Sequence, residues 1–554
     1  MDVSRSHYHH PTPWDTQFTP VTLPEMFART AEVRGEAAFL HFLGRTYTYS
    51  EVFAEAQRFA AGLVSAGISP GDRVGLFLPN VPIYASAYYG AMMAGAIVVN
   101  FSPLYSVEEL SWQVADSGTK LLVTVDVPEL FQTASEVLAA SDLETLVVGS
   151  LADMLPTLKG LAFKLLKRDQ IAKVNFGNTI NRWDEVARTG QPAPQISVTA
   201  EDVALLQYTG GTTGRPKGAM LTHANLSVNA QQVVAINPFE DPSTEVFMGA
   251  LPFFHVFANT ALLNHAVASG ASIAMVPRFD AGQVLKTIAR HKATGFPGVP
   301  TMFQALLDHP DLAKTDLSSL KVCISGGAPM PAPVHEKFED VTGVRLVEGY
   351  GLTESSGVVS ANPYEGTRKR GTIGQPVAGT ELLLLDKEDH TQLAPEGEPG
   401  ELAVHGPQVM RGYWNRPEAS ADVLIERDGK VWLRTGDVAV IDEDGFLKIV
   451  DRIKDMITVG GFKVFPSQVE DVLLQNDAVK EALVIGVPDD YRGEVPRAFV
   501  TLNSDATATA EDLGDWLNDH VGKHERVDEV VIRESLPKTL IGKLDRKALR
   551  AEVL

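Results

Sequence analysis

The sequence predicts an α/β protein: a large N-terminal domain of two βαβ-type subdomains plus a small β-barrel, followed by a small mobile α+β C-terminal domain. Three observations carry this expectation. From about residue 72 to residue 280, short aliphatic runs alternate with helix-length segments; around 378–450 the runs crowd together between Gly-rich turns; after Asp451 the texture changes again. The chain has 554 residues, and a single core stops growing at roughly 250–300, so at least two folding units are required.

The elements follow in order. Val74–Leu78, Leu121–Val125, Leu146–Val148 and Ser272–Val276 are β-branched or aliphatic runs spaced by helix-length stretches, the pattern of parallel strands joined by crossover helices. Residues 74–107 form the longest uncharged stretch, but Pro79, Asn80, Pro82 and Asn100 interrupt it, so it reads as strand, loop and buried helix rather than a membrane span. Lys321–Ser325 is another strand, and it runs into Gly326-Gly327-Ala328-Pro329, where glycine lets the backbone approach a ligand closely. Ala378–Gly406 and Val431–Val450, with turns at Glu396–Gly400 and Asp442–Gly445, make the β-rich annex. Pro466 opens a helix on which Val469, Val472 and Leu473 share a face; Leu483–Val487 and Ala498–Leu502 read as strands, and Leu513, Trp516 and Leu517 mark a further helix face. The expected domains are 1–453 and 454–554, hinged at about 451–455.

Charge and cysteine usage exclude several classes. A net charge of −22 argues against a nucleic-acid partner, which needs a basic surface to release counterions. The one cysteine, Cys323, rules out an intrachain disulfide framework and a multi-Cys zinc site, and it reads as a buried small hydrophobe. No apolar run follows Arg5, so the N-terminus does not read as a secretory signal; a cytoplasmic location is expected, and His7, His9 and His10 read as a frayed tail. Leu151–Val174 interleaves leucines with Lys159, Lys164, Lys167, Arg168 and Lys173. It reads either as a surface helix packed on the core or as a peripheral contact with the inner face of an anionic membrane. Nothing in the pattern decides between a monomer and a homodimer.

Chemistry concentrates in four places. Tyr208 to Gly218 contains Thr209, Gly210, Gly211, Thr212, Thr213, Gly214 and Lys217: glycines that free backbone N–H groups, hydroxyl donors, and a lysine point charge, suited to a polyphosphate. It is not a Walker A loop, because no Gly-Lys-Ser or Gly-Lys-Thr follows at the required spacing. Gly349-Tyr350-Gly351-Leu352-Thr353-Glu354-Ser355 joins an aromatic able to stack on a base with a carboxylate suited to Mg²⁺. Trp432 to Asp437 places a carboxylate after a strand and tight turn, a natural acceptor for ribose hydroxyls, and Pro537 to Arg546 carries Lys543 in a turn beside Gly542.

In this order, the motifs resemble the adenylate-forming superfamily of acyl-CoA synthetases, adenylation domains and luciferases over nearly the whole chain. Gly210 stands where serine is usual, and this glycine is shared by several bacterial long-chain fatty-acyl-CoA synthetases. Leu251-Pro252-Phe253-Phe254-His255-Val256-Phe257, Gly406 to Trp414 and Ile449 to Ile457 look most like that subgroup. The resemblance implies that Thr209 to Lys217 hold the ATP β- and γ-phosphates. Gly327, Ala328 and Pro329 with Glu348, Gly349, Tyr350 and Gly351 would frame adenine, Tyr350 stacking on it. Thr353 would touch the α-phosphate, Glu354 would bind Mg²⁺ together with Thr209, and Asp437 and Arg452 would hold the ribose. Lys543 would contact the acyl carboxylate and the α-phosphate, Lys454 would be the pivot, and Gly460, Gly461 and Lys463 would face CoA in the second half-reaction. Phe254 and His255 would lie by the acyl and CoA sites, His255 as a gate or wall or as plain packing.

The implied reaction makes acyl-CoA, AMP and diphosphate from a long-chain fatty acid, ATP and CoA, through an acyl-adenylate. Medium-chain or aryl-carboxylate CoA ligases share every motif. A non-catalytic nucleotide-binding protein recruited to membranes is the alternative of a different class.

Overall fold

In the computed structural model, residues 7–188, 196–209, 215–460, 462–489, 491–503, 506–539 and 542–554 are described. The aliphatic runs become parallel strands of two sheets, as expected for two βαβ-type subdomains. The first sheet has eight strands, ordered Gly412–Tyr413, Lys217–Thr222, Val203–Thr209, Ile97–Phe101, Arg73–Phe77, Thr119–Val125, Thr145–Gly149 and Ile180–Arg182. The second has nine, running from Gln375–Pro376 through Ser360–Ala361, Arg345–Tyr350, Val322–Gly326, Gly295–Gly298, Val246–Gly249 and Ser272–Met275 to Ala38–Phe42 and Arg45–Thr48.

The helix Pro82–Met93 is buried at every position from Pro82 to Met92, as expected for an apolar stretch broken by proline. Its three tyrosines tie the first sheet to the segment that joins Val246–Gly249 and Ser272–Met275 of the second. The Tyr84 hydroxyl donates to Asn100 Oδ1 (2.7 Å) and to the Phe253 carbonyl (2.9 Å), Tyr88 to Asn259 Oδ1 (2.9 Å) and Tyr89 to Asn264 Oδ1 (2.9 Å). All three rings are fully buried, and an aromatic ring in a core with its hydroxyl satisfied both packs and specifies one arrangement. The segment they hold, Asn259–Asn264, is a π-helical turn.

The annex is a five-stranded antiparallel sheet built on the long strand Lys430–Ile441. Gly400–His405 pairs along one side of it; Leu424–Arg427 and Leu447–Arg452 share the other, and Glu381–Leu385 lies beyond Gly400–His405. The turn expected before Asp437 is instead a kink inside this strand. Gly436 has φ +72°, which glycine adopts without strain, and the flanking ladders shift register there.

The small domain pairs Phe462–Val464, Ile457–Val459, Gly493–Leu502 and Val479–Asp489, with Val530–Ile532 parallel to Gly493–Leu502. The helices Pro466–Leu473 and Ala510–His520 cover it through Val469, Leu473, Leu513 and Leu517. Thr509 and Asp512 close a capping box at the second helix.

Two sequence expectations need correction. The histidine-rich segment is not frayed from His7 on: the His9 amide donates to Gln375 Oε1 (2.9 Å), the Gly379 amide to the Trp14 carbonyl (2.8 Å), and His10 is buried, which lowers its pKa to about 4. A tail with these partners adds apolar cover to the edge of the second sheet. The helix Thr157–Leu166 buries only Gly160 and leaves its leucines in solvent, so it is not a helix packed on the core by its apolar face. Cys323 is fully buried on Val322–Gly326, as expected.

Candidate active site

The phosphate-loop hairpin sets the first corner. Thr209, last in its strand, lies directly opposite Lys217, first in the next; Gly210, Gly211, Thr212, Thr213 and Gly214 fall outside the described residues. The Lys217 ammonium sits 5.0 Å from the centre of the Tyr413 ring, a cation–π distance, and the Tyr413 hydroxyl donates to Glu354 Oε1 at 2.7 Å. Glu354 and Thr353 lie on a 3₁₀ turn soon after Arg345–Tyr350, and the Met410 amide donates to the Glu354 carbonyl. Thr353, Glu354 and Lys217 are thereby gathered around Tyr413. Sequence reasoning gave this tyrosine no role, although it lay within the quoted stretch Gly406 to Trp414.

The second corner is a charged cluster on the annex. Asp437 is 2% exposed, accepts from the Tyr350 hydroxyl at 2.5 Å, and pairs with Arg452 Nε at 3.0 Å from the facing strand. A carboxylate has about four lone-pair sites, so sites remain for incoming hydroxyls. Burial, then Asp437's charge, pushes the Tyr350 phenol well above its ordinary pKa, which keeps it a donor. Its hydroxyl is thus engaged with Asp437, leaving its ring as the stacking surface.

Lys543 completes the arrangement from the small domain. Gly327 has φ +82°, and a Cβ there would lie 2.7 Å from Lys543 Cε and 2.9 Å from its ammonium, so only glycine leaves room for this lysine. Gly542 likewise lies against Thr301 of the large domain. The lysine is held by a tight turn in which its own amide donates to Thr539 Oγ1 (3.2 Å) and its carbonyl accepts from the Thr539 amide (2.6 Å). Burial, with Arg452's charge added and Asp437's opposing, lowers its pKa to about 8. Burial, with the Lys543 charge added, lowers His255 to about 3, so its imidazole is neutral and a very weak base.

Other expected residues fall into supporting positions. Glu348 is buried and accepts from the Gly371 (3.0 Å) and Met330 (3.4 Å) amides, tying the Gly327-Ala328-Pro329 segment to the strand that carries Gly349 and Tyr350; burial raises its pKa to about 7. Gly351 stands just beyond that strand, and Phe254 is buried beside His255. Lys454 lies on the 3₁₀ turn Ile453–Asp455 between the domains, its pKa lowered by burial and then by Arg452. Gly460 (φ +56°) precedes the outer strand Phe462–Val464 of the small sheet, in which Lys463 lies opposite Thr458 and Phe462 is 62% exposed; Gly461 is outside the described residues.

A titration follows from the buried lysine. Because kcat/KM reports the free enzyme, kcat/KM for ATP in acyl-adenylate formation is expected to fall as pH rises through about 8, where Lys543 loses its proton. In Lys543→Arg, whose guanidinium stays charged, that alkaline limb should disappear; its persistence would assign it to another group.

Residues 27–414 match the AMP-binding enzyme family, and residues 468–543 match the AMP-binding enzyme C-terminal domain. The chain belongs to the AMP-binding enzyme family. With relatives at 39% identity over nearly the whole chain named as fatty-acid–CoA ligases, it is an adenylate-forming acid–thiol ligase. This AMP-binding enzyme is 39% identical over 550 residues to a long-chain-fatty-acid–CoA ligase of Bacillus subtilis strain 168, covering 98% of this chain and 97% of the relative. It is 35% identical over 523 residues to a feruloyl-CoA synthase of an Amycolatopsis species, covering 94% and 97%. Among solved structures it resembles ATP-bound MatB from Rhodopseudomonas palustris, at TM-score 0.83 and 29% identity over 96% of this chain and 98% of that one. Against apo MatB, at the same identity and coverage, the TM-score is 0.73.

Proposed function

We propose that this AMP-binding enzyme is a long-chain fatty acid–CoA ligase that uses ATP to activate the acid as an acyl-adenylate and then transfers the acyl group to CoA. The observation that carries the chemistry is the Lys543 ammonium seated on Gly327 beside the Tyr350–Asp437–Arg452 cluster. The 39% identity to a ligase named for long-chain fatty acids supports the substrate.

A carboxylate is a poor acyl donor because attack on it must expel oxide. Its oxygen attacks the α-phosphorus of ATP, diphosphate leaves, and the resulting mixed anhydride has AMP as its leaving group. Negative charge that builds on the phosphate oxygens meets Lys217 and Lys543, fixed cations in a partly dry site where such charges act strongly. Tyr350 and the Gly327-Ala328-Pro329 segment hold adenine, Thr353 lies at the α-phosphate, and Asp437 with Arg452 holds the ribose. Mg²⁺ fits this donor set: Mg²⁺ is commonly held by one or two carboxylates plus substrate phosphates, and Glu354 and Thr209 would supply protein oxygens while the ion neutralises phosphate charge. The thiol of CoA then attacks the anhydride carbonyl and AMP departs, with no protein nucleophile required.

Lys543 serves the first half-reaction and the Gly460–Lys463 segment the second, so the small domain rotates about Lys454 between them. Higher similarity to ATP-bound than to apo MatB supports assigning the present pose to the first step. Apolar side chains along Val228–Val234, Phe253–Thr260 and Gly298–Phe303, among them the buried Phe253 and Phe303, are candidates for the acyl pocket wall.

Diphosphate release measured across fatty, dicarboxylic and aromatic acids, with and without CoA, tests this reading. Saturated acids of long chain should give the highest kcat/KM, with CoA-dependent AMP release. Preference for hydroxycinnamates would instead establish the second reading, an aryl-carboxylate ligase, which the feruloyl-CoA synthase likeness favours.

A further inference from the structure

Helix Thr157–Leu166 has an apolar face that the described protein does not cover. Leu158, Leu161, Leu165 and Leu166 are 83%, 58%, 55% and 79% exposed, and at 3.6 residues per turn they fall within one sector of about 140°. The helix is nonetheless anchored: Met154 and Leu155 just before it are buried, Gly160 packs against the Ala152 carbonyl, and Phe163 is packed on the core. Lys159 and Lys164 stand at the two margins of the apolar sector, and Lys167 and Arg168 follow its end. Residues 151–174 contain five Lys or Arg against two Asp, on a chain whose net charge is −22.

A neighbouring turn extends the same surface. Lys159 donates to the Leu43 carbonyl (3.2 Å) and Arg45 to the Asp153 carbonyl (3.0 Å), which places the Leu43–Arg45 turn beside the helix. Leu43 has φ +47° and is 38% exposed. Left-handed backbone is costly for a bulky residue, and Asn, Asp or Gly would serve such a turn better, so an exposed leucine there is a second apolar feature at odds with a water-facing surface.

We propose that this helix and the Leu43 turn dock on an anionic lipid surface, the helix lying in the interface with its leucines among acyl chains and its lysines at the headgroups. Charge complementarity selects this occupant. A second copy meeting the same face across a two-fold axis would bring the cationic clusters together, and the four leucines offer less than the roughly 800 Å² per partner of a standard stable interface. No helix among the described residues is long and apolar enough to cross a membrane, so the contact is peripheral. This surface goes beyond the proposed reaction and does not depend on it.

Flotation of the full-length enzyme with vesicles tests the proposal without any substrate. Binding should be strong to phosphatidylglycerol–phosphatidylcholine vesicles, weak to phosphatidylcholine alone, and reduced by salt. The double variant Leu158→Asp, Leu166→Asp should lower the bound fraction about tenfold, with thermal stability and activity on a water-soluble acid unchanged, because both side chains are already in solvent. Lys167→Glu with Arg168→Glu should weaken binding and reduce its salt dependence. Absence of wild-type flotation with anionic vesicles, or wild-type flotation by the leucine variant, overturns the proposal. So does a vesicle-free light-scattering mass that drops from dimer to monomer in that variant, since a second copy would then cover the face.

Discussion

Replacing Lys543 by alanine is expected to lower acyl-adenylate formation by about 10²–10³-fold, the usual effect of deleting one fixed group that stabilises transition-state charge. The ammonium is held 2.9 Å from where a Cβ on Gly327 would be, beside the Arg452–Asp437 pair. Its loss removes positive charge where the α-phosphate is proposed to develop negative charge. The second half-reaction, run from preformed acyl-adenylate and CoA, should keep its rate, because the proposed rotation withdraws Lys543 for that step. Single-turnover assays of each half-reaction separate the two. Equal loss in both would sink the division of labour between Lys543 and the Gly460–Lys463 edge, and with it the rotation about Lys454.

Replacing Arg546 by alanine is expected to destabilise the small domain by about 3–5 kcal/mol, the cost of leaving a buried charge without its partner. Arg546 Nη2 pairs with Glu470 at 2.6 Å, Nη1 with Asp455 at 3.2 Å, and Nε donates to the Val484 carbonyl at 3.0 Å. Burial already pushes the Glu470 carboxyl upward and Arg546 opposes that shift, so without the guanidinium the carboxylate takes up a proton or drags water inward. Arg546 also ties the segment carrying Lys543 to the 3₁₀ turn Ile453–Asp455 through Asp455. Calorimetry should show the small-domain transition moving down, and Glu470→Gln in the Arg546→Ala background should recover part of the loss by removing the orphaned charge. An unchanged transition in Arg546→Ala would mean that the pair contributes nothing net.

The course of the chain through its elements was readable because strands, helices and turns are local choices. β-branched runs between Gly and Pro, a proline at the start of Pro466–Leu473, and glycine where the backbone must turn left-handed leave marks in the residues themselves. That Val203–Thr209 and Lys217–Thr222 pair antiparallel, with Thr209 opposite Lys217, was decided by the sheet. Asp437 and Arg452 were named from the sequence, yet their pairing arises from adjacent strands of the annex, and the tight turn expected at Gly436 became a kink because one left-handed glycine can bend a strand without ending it.

By itself, then, the sequence determined the order of the elements and the change from a large α/β part to a small C-terminal one. Only the tertiary structure decided that Lys543 seats on Gly327, that Tyr413 gathers Lys217 and Glu354, that His10 is buried, and that the leucines of Thr157–Leu166 face outward. An amphipathic helix has the same periodicity whether its apolar face meets the chain's own core or something else. Proximity between distant segments depends on how whole layers pack, which no local run of residues specifies.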